Sequence, residues 1–249
     1  MIKSVAFHIL KGGVGKTTLS GNIGYCISQR NKKTILVDCD IQSSLSSWFI
    51  KDDVKIDYEL SDILQGKIET RKTIIQIREN LFIIPTKKKD SELEVYSETK
   101  LTKEPFIFED LNIELDKLGF EYSIFDLAPN IGQLERCILL ACNEVVTPMV
   151  AEYFSIDGLD LFYRELQKIN KAYRKNIEYN KIVLNIVNKS FDTHRQYVKE
   201  LSNLQNYKIY KIGQDRKIAD SQKYNQTIFE YYPKSQSIAE LEKISLDLI

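Results

Sequence analysis

The sequence predicts an α/β protein, a mostly parallel sheet flanked by helices on both faces, and three observations predict it. Short runs that are apolar on both strand faces alternate with helix-periodic segments along nearly all of the 249 residues. That is the pattern of strands buried between two helical layers. A glycine-rich loop joins the first apolar run to the first helical segment. Two later apolar runs end in aspartate, and ligands of such sheets bind beyond the carboxyl ends of the strands.

Taken in order, the apolar run 4–10 reads as the first strand and 17–30 as the helix after the loop. Strand 34–38 follows and ends in Asp38. Residues 51–78 are irregular and read as a surface excursion. Strand 81–84 precedes a second excursion, the polar and charged segment 87–104, and both excursions have room for short helices. Helix 106–118 leads to strand 122–126, which ends in Asp126, and then to helix 133–141. Strand 144–150, helix 156–173, strand 181–187 and helix 195–204 continue the alternation. Strand 208–212, helix 216–224 and a last helix at 238–248 complete it.

Composition is that of a globular protein, 43% hydrophobic and 28% charged. No Pro/Gly/Ser-rich linker and no internal repeat divides the chain, so a single domain over 1–249 is expected. Lys+Arg and Asp+Glu both total 35, so global charge names no partner, although a local basic patch is enough for nucleic acid. Cys26, Cys39, Cys137 and Cys142 lack C-x-x-C spacing and sit among apolar neighbours, as reduced core residues do. His8 and His194 are too few for a histidine metal site, and His8 reads as a core residue of the first strand. The N-terminal apolar run is far shorter than the ~20 residues of a membrane-spanning helix. A cytoplasmic protein is expected.

Lys11-Gly12-Gly13-Val14-Gly15-Lys16-Thr17-Thr18 carries the chemistry. Glycines let backbone N–H groups turn inward around phosphates, and the following helix N-terminus adds partial positive charge. Lys16 is placed to reach the β/γ-phosphates of a nucleoside triphosphate and the Thr17 hydroxyl to ligate Mg²⁺. The plain G-x-x-x-x-G-K-[ST] pattern fails, because Leu10 stands at its first glycine. Asp38 and Asp40 lie two residues apart at the end of their strand and can both point toward the γ-phosphate. In Tyr122-Ser123-Ile124-Phe125-Asp126, Asp126 has the place of a Walker B aspartate, which holds a water on Mg²⁺.

The octapeptide fits K-G-G-x-G-K-T-[ST] and so resembles the ParA/MinD family of deviant Walker A P-loop ATPases. Asp38-Cys39-Asp40-Ile41-Gln42 is similar to that family's D-x-D-P-Q, with Ile41 in place of proline. The likeness continues through Asn80–Pro85, through Val145–Val150 with Glu152, Phe154 and Gly158, and through Val183-Leu184-Asn185 and Gly213–Lys217. Asn130, Asn143 and Gly213 depart from the usual residues. The resemblance implies a P-loop NTPase-like fold, with ATP and Mg²⁺ as cofactors. It implies nucleotide contacts from Lys11 through Thr18 and from Asn185 near the adenine. Thr17, Asp38 and Asp126 would serve the metal, partly through water. Asp40 would position or activate the attacking water, and Lys11 would cross into a partner subunit and touch its nucleotide, so that Lys11, Lys16 and Asp40 form the catalytic set.

The function implied is that of a DNA-partition ATPase, probing DNA as an ATP-bound homodimer and released when a ParB-like centromere-binding protein triggers hydrolysis. It would then be nucleoid- or plasmid-associated. Candidate contacts to non-specific double-stranded DNA are Lys189, Arg195 and Lys199 in one group and Arg216, Lys217 and Lys223 in another. Arg195 and Lys199, four apart, share a helical face, and Lys217 falls where the resembled proteins carry a DNA-contacting arginine. The same basic residues read equally as a solvated face. The alternative function is a MinD-like or other cargo-positioning ATPase on a membrane or protein scaffold. The last helix argues against a membrane, since Glu240, Glu242 and Asp247 outweigh Lys243 and suit packing on the domain better than anionic lipid. A member that keeps nucleotide only as a structural cofactor is a third reading, against which the intact Lys11, Lys16, Thr17, Asp40 and Asp126 speak.

Overall fold

The computed structural model describes every residue except 52, 88–91, 151–154, 189 and 203–205. Its first half runs β1 (Lys3–Phe7), α1 (Lys16–Ser28), β2 (Thr34–Asp38), α2 (Ser44–Phe49), α3 (Leu60–Leu64), β3 (Ile75–Arg78), β4 (Leu81–Ile84), α4 (Glu92–Thr99), α5 (Ile107–Lys117) and β5 (Tyr122–Asp126). The second half runs α6 (Gln133–Ala141), β6 (Glu144–Val150), α7 (Ser155–Tyr173), β7 (Glu178–Val187), α8 (Asp192–Ser202), β8 (Lys208–Gly213), α9 (Arg216–Lys223), α10 (Ile228–Tyr231) and α11 (Ser237–Leu248). Among the described residues the strands form one eight-stranded sheet, in the order β3-β4-β2-β5-β1-β6-β7-β8. Every pairing is parallel except that of the edge strand β3 with β4.

Successive residues of a strand face opposite sides, and the two cores follow that alternation. Ala6, Ile35, Val37 and Phe125 join the layer built by α5, α6 and α7. Val5, Phe7, Leu36 and Ile124 join the layer built by α1, α2 and α11. Central strands buried on both faces therefore read as continuous apolar runs. In α11, Leu241, Ile244 and Leu248 are buried, and burying each such side chain is worth about 1.5–3 kcal/mol. The last helix thus packs on the domain, as its sequence predicts.

Four of the expected strands, 34–38, 81–84, 122–126 and 144–150, have the expected bounds. β1 stops three residues early, at Phe7, where the chain turns into the glycine loop, although the His8 amide still bonds the Val146 carbonyl at 3.1 Å. The excursion 51–78 holds more order than expected. Leu60 and Leu64 of α3 are buried, and β3 adds an antiparallel edge. An edge strand has one half-exposed face, so its Ile-Gln-Ile-Arg alternation looks like surface. The polar segment 87–104 contains α4, which buries Leu93 and Tyr96. The sequence allows a short helix in this excursion, but two buried residues among charges give it no bounds.

All four cysteines are free and buried. His8 is completely buried against Phe162, ring edge to face at 5.0 Å between centroids, and burial pushes its pKa down to about 3. No helix among the described residues is long and apolar enough to cross a membrane.

Candidate functional site

β1 lies between β5 and β6, so its loop emerges at the carboxyl ends of the central strands. Gly13 and Gly15 adopt φ values of 72° and 92°, a left-handed region that side chains with a Cβ disfavour. Gly15 also allows a close approach. A Cβ there would meet the Asn185 side-chain nitrogen at 2.2 Å. That same Asn185 amide donates to the Val14 carbonyl at 2.9 Å, fastening the loop from beneath. Helix α1 begins at Lys16 with no side-chain cap and no acidic residue in its first turn. Its leading N–H groups therefore remain available to an anion.

Lys16 is buried, and its ammonium donates to the Lys11 carbonyl at 3.0 Å across the loop. Burial lowers its pKa, opposed by the charges of Asp126 and Asp40. Lys11 is half-buried at the loop entrance, whereas Gly12 and Gly13 are exposed.

Asp38 and Asp126 are register partners across β2 and β5, and both are fully buried. Asp38 accepts from the Ser46 amide at 2.7 Å, the Ser46 hydroxyl at 2.6 Å and the Asp40 amide at 3.3 Å. Burial nonetheless raises its pKa to about 7. Asp126 accepts from the Ser20 hydroxyl at 3.3 Å, and the nearby Thr17 side chain acts to lower its pKa. Its Oδ2 has no hydrogen-bond partner among the described residues. Burial first, then the charge of Asp38, raises the Asp126 pKa to about 8. Asp40 stands half-buried just beyond, its carboxylate accepting from the Gln42 amide at 2.9 Å.

This donor set fits a nucleoside triphosphate with Mg²⁺. A buried carboxylate oxygen without a partner, a threonine hydroxyl beside it and further carboxylates form a hard oxygen environment. The sequence reading missed Ser20, Ser46 and Thr86. The Thr86 hydroxyl donates to the Asp38 carbonyl at 2.6 Å, and the Thr86 backbone amide donates to the Ser46 hydroxyl oxygen at 3.0 Å. Ser20 within α1, Ser46 within α2 and Thr86 after β4 carry no sequence signal of such a role, because their partners are set by the fold. Glu135 was also missed. It is buried after β5, accepts from the Gly132 amide at 2.8 Å and has its pKa raised by burial.

The basic candidates lie elsewhere. Arg195 and Lys199 are exposed on α8, and Arg216, Lys217 and Lys223 are exposed on α9. Lys189, like Glu152 and Phe154, lies outside the described residues. Arg195 pairs with Asp192, and Lys223 with Asp220 at 3.8 Å. The Lys217 ammonium lies over the rings of Tyr231 and Tyr232, 6.0 and 5.9 Å from their centroids. A cleft of about 750 Å³ joins Arg195 to Lys211, Asp215 and Lys234. Lys211 and Lys234 were not singled out in the sequence, because each is an isolated lysine whose neighbours are set by the fold.

Residues 2–179 match the AAA_31 family, described as an AAA domain. The chain is 42% identical to an uncharacterized protein of Borreliella burgdorferi over 98% of each chain. It is 29% identical to the virulence plasmid ParA family protein of Chlamydia psittaci, over 99% of this chain and 94% of that one. Among solved structures, the ATP complex of a McdA variant from Cyanothece superposes with a TM-score of 0.84. That match covers 99% of this chain and 96% of the other at 17% identity, a likeness of fold alone. With the deviant phosphate loop and the paired aspartates in place, the chain belongs to the AAA_31 family and, within it, to the ParA type of partition ATPases.

Proposed function

We propose that this chain is a single-domain DNA-partition ATPase whose ATP-bound homodimer binds duplex DNA without sequence preference and lets go after hydrolysis stimulated by a ParB-like partner. The observation that carries this reading is the two-lysine glycine loop set against the buried Asp38–Asp126 pair. Mg²⁺-ATP would supply the triphosphate to be cleaved and the cation that neutralises these acids. In this reading the loop amides of residues 12–18 and the Lys16 ammonium cradle the phosphates, and Thr17, Asp38 and Asp126 serve the metal, partly through water. Asp40 orients a water, and Lys11 reaches the partner's nucleotide, where a second positive charge offsets phosphate charge in the manner of an arginine finger. Asn185 holds the loop in shape.

Arg195, Lys199, Arg216, Lys217 and Lys223 are the proposed phosphate contacts on DNA, with Lys189 of the same group. Dimerisation doubles them, so binding should fall steeply with salt. The packing of α11 supports this reading over a membrane-directed one, because the apolar face of that helix is already covered by the domain.

The test is duplex DNA binding with no nucleotide, ADP and ATP over a salt series, beside Lys16→Ala. Binding that appears with ATP, weakens steeply with salt and vanishes in the variant is the expected outcome. Absence of ATP-dependent DNA binding, with nucleotide still bound, would turn the reading toward a scaffold-directed positioning ATPase.

A further inference from the structure

Helix α9 ends in a tight, fully bonded turn. Asn225 takes φ 53°, the Gln226 amide bonds the Ser221 carbonyl at 3.1 Å, and the Asn225 amide bonds the Gln222 carbonyl at 3.1 Å. These paired bonds define a Schellman turn, which fixes the chain direction after a helix. From this turn, hydrogen bonds run to the elements that build the phosphate site. The Gln222 side-chain amide donates to the Thr18 hydroxyl at 3.0 Å. The Asn225 side-chain amide donates to the Trp48 carbonyl at 2.8 Å, and the Trp48 indole donates to the Gln226 carbonyl at 2.9 Å. A little further on, the Ile228 amide donates to Asn22 of α1 at 2.9 Å.

Both anchor points belong to the candidate nucleotide site. Thr18 closes the glycine-loop motif, and Trp48 sits two residues after Ser46, which holds Asp38 through two hydrogen bonds. Trp48 is also pressed onto α1, since a Cβ added at Gly21 would meet its ring at 2.2 Å. The same helix carries exposed cations, Arg216 and Lys217 at its start and Lys223 beside the turn. The eight-residue helix α9 thus carries a basic surface and, through Gln222, a direct contact to the phosphate loop.

We propose that Gln222 is a positioning residue that carries nucleotide occupancy from Thr18 to the basic helix α9. This inference rests on the nucleotide reading above. The Thr18 oxygen accepts from Gln222, which leaves the hydroxyl proton to be donated to a phosphate oxygen. A hydroxyl that donates to an anion becomes a better acceptor, so the two bonds strengthen one another. Coupling of this kind is reciprocal, and engagement of α9 tightens nucleotide binding by the same factor. The Asn225–Trp48–Gln226 bonds keep the turn from yielding, so that a change at Thr18 moves the helix rather than bending the loop.

Trp48 is the sole tryptophan of the chain and lies within this joint, so its fluorescence reports on it. The experiment compares the full chain with Gln222→Met and Asn225→Gly. Emission is recorded with and without a non-hydrolysable ATP analogue plus Mg²⁺, and analogue binding is measured independently by calorimetry. Glycine keeps the left-handed backbone that position 225 needs and removes only its side-chain bond. It therefore serves if the methionine variant folds poorly. The expected result is a nucleotide-induced change in wild-type emission that is lost in both variants while the analogue still binds. The ATP-dependent gain in DNA affinity should fall by about 3–10-fold, the worth of one hydrogen bond. Emission changes equal to wild type in both variants would overturn the proposal. So would a wild-type protein that binds the analogue with no change in Trp48. Failure of the wild type to bind the analogue at all in the calorimeter would instead overturn the nucleotide reading on which it rests.

Discussion

Carboxylates are buried at both ends of the central strands, and the two ends treat them differently. At the amino end of β6, Glu144 is ion-paired with buried Lys181 and lies 3.6 Å from the Lys3 ammonium. At the carboxyl ends of β2 and β5, Asp38 and Asp126 face one another across the sheet with only hydroxyl and amide donors. The nearby lysine, Lys16, spends its hydrogen bond on the loop carbonyl of Lys11. Glu144 brings its own counter-charges and belongs to the architecture. The aspartates do not, and their pKa values of about 7 and about 8 record first the cost of burial and then, for Asp126, the charge of Asp38. The sheet neutralises its acids at one end and leaves them without a full counter-charge at the other, the end where the proposed Mg²⁺ would supply it.

The sharpest way to break this comparison is Glu144→Gln. It leaves Lys181 buried without its partner and should destabilise the fold by about 3–5 kcal/mol, read by chemical denaturation. Nucleotide affinity in the folded fraction should be unchanged. The double change Glu144→Gln with Lys181→Met should recover much of the loss. A stability cost below about 1 kcal/mol would mean that this end is no more structural than an exposed ion pair.

Asp126→Asn should behave in the opposite way. Both aspartates have folded pKa values above their unfolded ones, so through that window the native state holds more protons than the unfolded chain. Stability therefore falls as pH rises toward about 8. His8, with its pKa lowered to about 3, loses stability in the other direction, as pH falls below its ordinary value. Above the ordinary histidine pKa, near 6.5, His8 no longer opposes the aspartates. Between that pH and about 8 the nucleotide-free wild type should lose stability, and Asp126→Asn should lose less, each pKa unit being worth about 1.4 kcal/mol. Thermal melts across that window check the sign, and an identical slope in the variant would return Asp126 to the class of ordinary acids. The same variant should lose the Mg²⁺ dependence of nucleotide binding.

The smallest effect concerns the cations far from either end. Lys217→Ala should weaken DNA binding evenly across sequences and reduce the slope of log affinity against log salt by about one per subunit. An unchanged slope would leave Lys217 as a cation held over Tyr231 and Tyr232 for packing alone.

Much of the fold was legible because buried parallel strands announce themselves. Runs such as Thr34–Asp38 and Tyr122–Asp126 are apolar on both faces and end in an acid, and their bounds match the structure. The phosphate loop was legible for a similar reason, since its glycines answer a backbone demand that few other sequences meet. Elements that bury only one or two side chains were not legible. β3 and α4 owe their order to neighbours, and their own residues are largely polar.

The sequence by itself determined the alternation of layers, the loop at the first strand's end and the two strand-ending aspartates. Each of these follows from local periodicity or from backbone stereochemistry. Only the tertiary structure decided that Asp38 and Asp126 stand opposite one another, because register between strands distant in the chain is a property of the sheet. It alone brought Asn185 under the loop, Ser46 and Thr86 to Asp38, and Gln222 to Thr18. Hydrogen-bond partners distant in the chain carry no periodic signal. Which of them meet is set by the packing of apolar faces, which brings the polar groups along with it.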